Sequence, residues 1–291
     1  MEDLVTVVIP AYNRENTILR AINSVLGQSY KNIEVLVIDD CSKDHTKAVV
    51  DDITDPRVRY YKLDKNSGAC VARNKGVELA KGEIIAFQDS DDFWHKDKLS
   101  KQVTYLKSHG LDFVTCGFNR IDEHGNSVQL GMHDCADNKI ENWCSLLNHN
   151  WVSTQTIVCY RRCFDNIKFN RNVKRYQDWD LALQAATKFN IGSLNECLVD
   201  VYIQSDSITR VVNGGEAKKN VISLHEKDII PGNKLMESQY NKSMADVLRK
   251  DHSRLARKYY WKSLMNQFSF KKCVCWLACF TPFFKHYQVR Q

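Results

Sequence analysis

Hydrophobic residues in the first part of the chain come in short unbroken runs, each closed by a proline or an acid, and the stretches between them repeat at helical spacing. Val5-Thr6-Val7-Val8-Ile9-Pro10 is a β-branched run stopped by proline and predicts a buried strand. Thr17–Gln28 carries Ile18, Ala21, Ile22 and Val25 on one helical face. Glu34–Asp40 predicts a second buried strand, Thr46–Ile53 a short helix and Val58–Leu63 a third strand. Gly68–Ala80 predicts a helix whose small residues Ala72, Gly76 and Ala80 allow close packing. Glu83–Phe87 is a fourth strand, introduced by Gly82, and Lys96–Ser108 a helix. This alternation predicts an α/β fold with a mostly parallel central sheet, helices on both faces and right-handed crossovers.

After Leu111 the pattern changes. Strands are predicted at Asp112–Phe118, Thr156–Tyr160 and Leu194–Ile203, a hairpin or loop at Asn119–Cys135 and a helix at Trp179–Phe189. From Gly215 onward the chain reads as helical almost to its end. The expected organisation is a catalytic domain over residues 1–210 and a helical C-terminal extension over 211–291.

Composition alters this picture little: 43% hydrophobic and 26% charged residues suit an ordinary globular protein, and 4 Pro with 12 Gly argue against long disordered linkers. Charge placement matters more. The net charge is +6, with Lys and Arg crowding the extension and acidic clusters lying before it. Such a basic end suits an anionic surface, membrane or nucleic acid, or simply a solvated helix face. The 11 cysteines are odd in number and lack C-x-x-C spacing, and Met1-Glu2-Asp3-Leu4 does not open a signal segment. Free thiols and a cytoplasmic setting are expected.

Two predicted strands end in acid: Asp39-Asp40, and the run Asp89-Ser90-Asp91-Asp92. Were the strands adjacent and parallel, those ends would meet at the carboxyl edge of the sheet, where open α/β sheets bind ligands. Crowded carboxylates need a cation, and their hard oxygens suit Mg²⁺ or Mn²⁺ completed by substrate phosphates. Asp39 and Asp40 read alternatively as loop and capping residues. Asn13 and Arg14 follow the first strand at the same edge, Asn66-Ser67-Gly68 precedes a helix whose amides favour anions, and Arg73 is within reach of a phosphate.

The blocks Val8-Ile9-Pro10-Ala11-Tyr12-Asn13-Arg14, Ser24–Tyr30, Glu34–Ser42, Asn66-Ser67-Gly68 with Ala72-Arg73-Asn74, and Phe87–Trp94 together resemble the opening of family 2 inverting glycosyltransferases. The resemblance is close over roughly the first 100 residues and weaker to about residue 205. It implies a GT-A fold, a nucleotide-sugar half at about 1–110, an acceptor half at about 111–210 and a nucleotide-diphosphate sugar donor, expected to be a UDP-sugar. By that match Pro10, Tyr12 and Asp40 contact the base. Asp89, Ser90 and Asp91 form the D-x-D element at ribose and metal, with Asp92 an adjacent ligand. The family has Leu or Met where Gln88 stands.

An inverting transfer needs a base opposite the leaving diphosphate. Tyr176-Gln177-Asp178-Trp179-Asp180 resembles the family's Glu-Asp block, which assigns the base to Asp178, with Asp180 as fallback and Gln177 departing from the pattern. Arg210, after the last strand, is expected to neutralise phosphate. In the extension, Lys271–His286 is too short an apolar stretch to span a bilayer but suits an in-plane interfacial helix; docking on the domain is the alternative. The expected protein moves a sugar to a glycan or lipid-linked acceptor at the membrane's inner face and binds no nucleic acid. A nucleotidyltransferase or a non-catalytic sugar-nucleotide binder are the competing readings; the first wants a basic, Gly-rich loop that Ile9–Asn16 lacks.

Overall fold

The computed structural model describes residues 2–203, 213–249 and 253–280. Strands β1 (Val5–Ala11), β2 (Ile33–Asp39), β3 (Val58–Lys62) and β4 (Ile84–Phe87) alternate with helices α1 (Ile18–Leu26), α2 (Thr46–Asp51) and α3 (Ala69–Leu79). They pair in parallel in the order β3-β2-β1-β4. The sheet continues through β8 (Val158–Tyr160), β6 (Phe113–Ile121), β9 (Ile191–Tyr202) and the two-residue β5 (Phe93–Trp94). In this second half the pairing is mixed: β8 runs antiparallel to β4 and β6, β9 parallel to β6, and β5 antiparallel to β9. The expected hairpin forms where β7 (Ser127–Leu130) folds back on β6 through a turn at Gly125, whose φ of +81° suits glycine.

The period of two along β1 sorts the core. Val5, Val7 and Ile9 face α1 and α4 (Lys98–Ser108), packing with Ile18, Ile22, Leu99 and Val103. Val8 faces the other way, onto Ala72, Val77 and Phe87. A Cβ at Gly76 would come within 2.2 Å of Val8 Cγ1, so α3 lies against β1 only because that position has no side chain.

Helix α5 (Lys139–Asn148) was not foreseen, although its cues are present: Asn138 caps it by accepting from the Glu141 amide at 2.8 Å, and Trp143, Leu146 and Leu147 are buried. It packs against α6 (Gln177–Lys188), where Trp179 Nε1 donates to the Leu146 carbonyl at 2.7 Å. The C-terminal helices α7 (Gly214–Leu224), α8 (Lys234–Leu248), α9 (Ser253–Asn266) and α10 (Phe270–Ala278) cover α5 and α6 and extend that core. No helix among the described residues is long and apolar enough to cross a membrane.

The strand order corrects one expectation. β2 and β4 are not neighbours; β1 lies between them, in register Pro10↔Ile38 and Val8↔Phe87. Their acidic ends therefore flank Pro10–Asn13 at about 10 Å from each other, two strand spacings.

Candidate active site

Four segments leave the carboxyl edge of the sheet and line one cavity of about 740 Å³. Pro10, Tyr12, Asn13 and Arg14 follow β1, Asp40 follows β2, Asn66 and Gly68 precede α3, and Asp89–Asp92 follow β4. Arg73 of α3 and Asp178 of α6 complete it. Arg210 lies outside the described residues, as do Ser207 and Thr209.

The two loops on the nucleoside side are laced together. Asn13, in the left-handed region at φ 52°, donates its amide to Ser42 Oγ at 2.9 Å and accepts from the Lys43 amide at 2.9 Å. The Arg14 amide donates to Thr46 Oγ1 at 2.7 Å. Asp39 is wholly buried, accepting from the Ser42 amide and the Tyr60 hydroxyl, so it is structural. Asp40 accepts the amides of Ser67 at 2.6 Å and Gly68 at 2.7 Å. The amides at 67 and 68 precede α3 and hold Asp40, so the first-turn amides of the helix itself, where an anion is expected, take no part in this contact. Gly68 holds φ +90°, which keeps the turn open to this contact.

Arg73 also differs from expectation. Its buried guanidinium bridges Asp89 Oδ1 at 2.8 Å and Gln177 Oε1 at 2.9 Å, rather than standing open for phosphate. It thereby ties the acidic loop to the start of α6. The same bridge explains Gln177. Its amide oxygen accepts from Arg73 while its Nε2 donates to the Val173 carbonyl at 3.1 Å, a donation a glutamate could not make.

Asp91 keeps 23% of its side chain exposed to the cleft, with Arg14 Nε 3.9 Å from Oδ2. Asp92 is only 3% exposed and accepts from the Tyr202 amide at 3.0 Å. Burial, then the neighbouring Asp91 and Asp89, push its carboxyl well above the usual range. Among the described residues no three acidic, His or Cys side chains converge into a ready-made cation cage. The donor set that fits is Asp89 and Asp91, two hard carboxylates left to be completed by phosphate oxygens and water, which is the habit of Mg²⁺ and Mn²⁺.

Asp178 lies partly open to the cavity but with protein close around it, and this burial pushes its carboxyl up to about 6, against the Trp179 amide and Arg73, which lower it. Asp180, the fallback base, is buried with both oxygens engaged: Oδ1 with His225 Nε2 at 3.0 Å and Oδ2 by Gln184 Nε2 at 2.8 Å. It does not line the cavity.

Sequence reading missed further lining residues. Ser153, Thr154 and Gln155 enter from the turn before β8, and Lys174, Arg175 and Tyr176 from the approach to α6. The basic pair Lys174-Arg175, directly before the block that opens at Tyr176, was a usable signal. Tyr176 adopts φ 66°, rare for an aromatic residue.

Comparison with known proteins bears on the family and the fold. The profile described as Glycosyl transferase family 2 matches residues 6–179. The Escherichia coli protein WfaP, named UDP-Glc:alpha-D-GlcNAc-diphosphoundecaprenol beta-1,3-glucosyltransferase, is 32% identical over 69% of this chain and 76% of its own. Escherichia coli WfgD, of the same named activity, is 34% identical over 67% and 75%. Among solved structures, S. aureus TarS 1-349 in complex with UDP-GlcNAc superposes with a TM-score of 0.69 at 18% identity, covering 90% of this chain and 88% of that one. The mannosyltransferase PcManGT from Pyrobaculum calidifontis, in complex with GDP-Man and Mn2+, gives 0.63 at 17% identity, covering 93% and 77%.

Proposed function

The chain belongs to glycosyl transferase family 2, and from that premise we propose that it transfers a sugar from a UDP-sugar to a hydroxyl of a lipid-diphosphate-linked glycan, with inversion at the anomeric carbon. The observation that carries this reading is that Asp40, Asp89, Asp91 and Asp178, far apart in sequence, line one cavity. The relatives named for UDP-glucose transfer to a diphosphoundecaprenol-linked sugar support the donor and acceptor classes.

In this reading Pro10 and the exposed Tyr12 flank the base and Asp40 holds the loop beneath it. The diphosphate lies toward Asp89 and Asp91, with Asn66, Gly68 and Ser90 lining its path, and Arg210 is the residue assigned to neutralise its charge. Asp89 and Asp91 would hold Mn²⁺ or Mg²⁺, which when bound supplies charge neutralisation to the leaving diphosphate. Asp92 braces the loop against Tyr202 rather than serving as a ligand. Lys174 and Arg175 bring further positive charge to the same cavity. Asp178 accepts the proton of the attacking hydroxyl as its oxygen bonds to the anomeric carbon and the carbon–oxygen bond to the diphosphate breaks. A carboxyl raised to about 6 is basic enough to take that proton and still mostly ionised at neutral pH.

The extension presents a face suited to a bilayer surface. α10 docks through Cys275 and Cys279, while Phe268, Phe270, Leu277 and Phe280 stand exposed among basic residues of α9 and α10. We read this face as the peripheral contact with the membrane that carries the acceptor.

The test is UDP release from UDP-sugars in the presence of Mn²⁺, with calorimetry of UDP. Asp91→Asn is expected to abolish metal-dependent UDP binding, and an unchanged affinity would refute the site. Release of pyrophosphate instead of UDP would refute the reaction class.

A further inference from the structure

A second cavity, of about 720 Å³, lies between the ends of α5 and the start of α6 on one side and the C-terminal helices on the other. Five cations line it, Lys218 from α7, Lys242 and Arg249 from α8 and its end, and Lys271 and Lys272 from α10, against a single carboxylate, Asp246. That carboxylate is already engaged, by Lys242 Nζ at 3.0 Å and by the Tyr260 hydroxyl. Lys272 is buried, and its Nζ donates to Ser238 Oγ at 2.7 Å and the Gln267 carbonyl at 3.1 Å, neutral acceptors that leave its charge uncompensated. Burial and the nearby Lys242 both lower its pKa. Cations gathered in a partly enclosed space are costly unless an anion joins them.

The position of this cavity bears on which anion that is. Tyr176 lines both cavities, and Trp179, next to Asp178, lines the second. The Tyr176 ring is flanked by the Arg175 guanidinium at 4.8 Å and Lys218 Nζ at 6.0 Å, and one side chain thus separates the basic cavity from the cleft of Asp178. At the other end, Ser269 and Lys271 line the cavity while their neighbours Phe268 and Phe270 are 76% and 78% exposed. The cavity therefore runs from the proposed base toward the apolar face of the extension.

We infer that this cavity seats the diphosphate of a prenyl-diphosphate-linked acceptor, with the acceptor sugar reaching past Tyr176 to Asp178 and the prenyl chain leaving beside Phe268 and Phe270. The inference rests on the transferase reading above and names the part of the chain that would recognise its acceptor.

Calorimetric titration of the full chain with geranyl diphosphate, inorganic pyrophosphate and geraniol tests it, with and without saturating UDP and Mn²⁺. Geranyl diphosphate is expected to bind one-to-one whether or not UDP is present, pyrophosphate to compete with it, and geraniol not to bind. The double variant Lys218→Gln/Lys271→Gln, both surface positions, is expected to weaken geranyl diphosphate at least tenfold through lost charge-assisted contacts, and Lys218→Arg/Lys271→Arg to retain it. UDP affinity, read in a separate titration of the other cleft, serves as the folding control. Displacement of geranyl diphosphate by UDP, binding of pyrophosphate but not of geranyl diphosphate, or unchanged affinity in the glutamine variant would overturn the assignment. Absent UDP binding with geranyl diphosphate still bound would count against the donor cleft and not against this cavity.

Discussion

Asp180 of α6 and His225 after α7 meet at 3.0 Å across a separation of 45 residues, and Asp228 closes on the other imidazole nitrogen at 2.5 Å. His225 is 1% exposed and Asp180 2%. Burial lowers the histidine's pKa, but its bonds to Asp180 and Asp228 outweigh that and leave it raised. The pair fastens the extension to the helix that carries Asp178.

His225→Ala is expected to destabilise the fold by about 3 kcal/mol, because Asp180 would remain buried without its main partner. The sign of the pH dependence follows from the raised value. The folded state binds the extra proton, so the contribution is complete below the unfolded pKa of about 6.5 and fades as pH climbs through the folded one. Chemical denaturation at about pH 6 and about pH 9 checks this: the gap between wild type and variant is larger at the lower pH.

Asp178→Asn is expected to keep UDP binding and lose transfer by about 10³-fold. Wild-type transfer is expected to rise with pH through about 6 as this carboxyl ionises. Its raised value also means that stability falls as pH rises from the unfolded 3.8 to about 6, and above that window the ionised form is a standing cost. The asparagine variant should therefore be more stable at neutral pH by about 1–2 kcal/mol, measured by denaturant unfolding. Wild-type turnover in this variant would move the base elsewhere.

Arg73 acts on Asp178 through charge and on the acidic loop through its bond to Asp89. Arg73→Gln is expected to shift the midpoint of the transfer–pH profile upward from about 6, since the cation that lowers the Asp178 pKa is gone. Arg73→Lys should hold the midpoint closer to the wild-type value. A purely structural arginine would change the rate without moving the midpoint.

Gln88, at the head of the acidic loop, is wholly buried, with neither amide atom of its side chain hydrogen-bonded. An apolar side chain of similar length removes that desolvation cost. Gln88→Met is expected to stabilise the protein by about 1 kcal/mol, read as a higher denaturation midpoint.

Phe268→Ser/Phe270→Ser is expected to reduce flotation with anionic vesicles at least tenfold while leaving UDP affinity intact, because each exposed ring contributes about 2 kcal/mol when buried in an interface. Equal flotation of the variant and the wild type would remove the membrane role of this face.

The first half of the fold was legible because its strands are β-branched runs buried on both faces, so that Val5–Ile9 and Glu34–Ile38 carry an unbroken signal. Strand order was not legible, since the residues closing β2 and β4 contain nothing that says a third strand lies between them. The cleft residues from Pro10 to Asp91 follow strand ends, where local pattern and chemistry coincide. Arg73 was visible as a cation, but its partner Gln177 lies 104 residues away, so its bridging role needed the fold. His225 carried no local signal at all: its meaning arises only when the extension docks. The helix around Trp143 was lost for the opposite reason, a short amphipathic segment lying between the predicted hairpin or loop that ends at Cys135 and the strand that begins at Thr156.

Because β1 stands between β2 and β4, the span from Asp40 to the Asp89 loop is set by backbone ladders and not by any side chain. The cleft thus has a built-in gauge. Substitutions on the loops can retune what is recognised at either end, but the distance between the ends changes only if the sheet itself is rebuilt. For the proposed donor, the sheet and not the loops sets the length of molecule that spans the two ends.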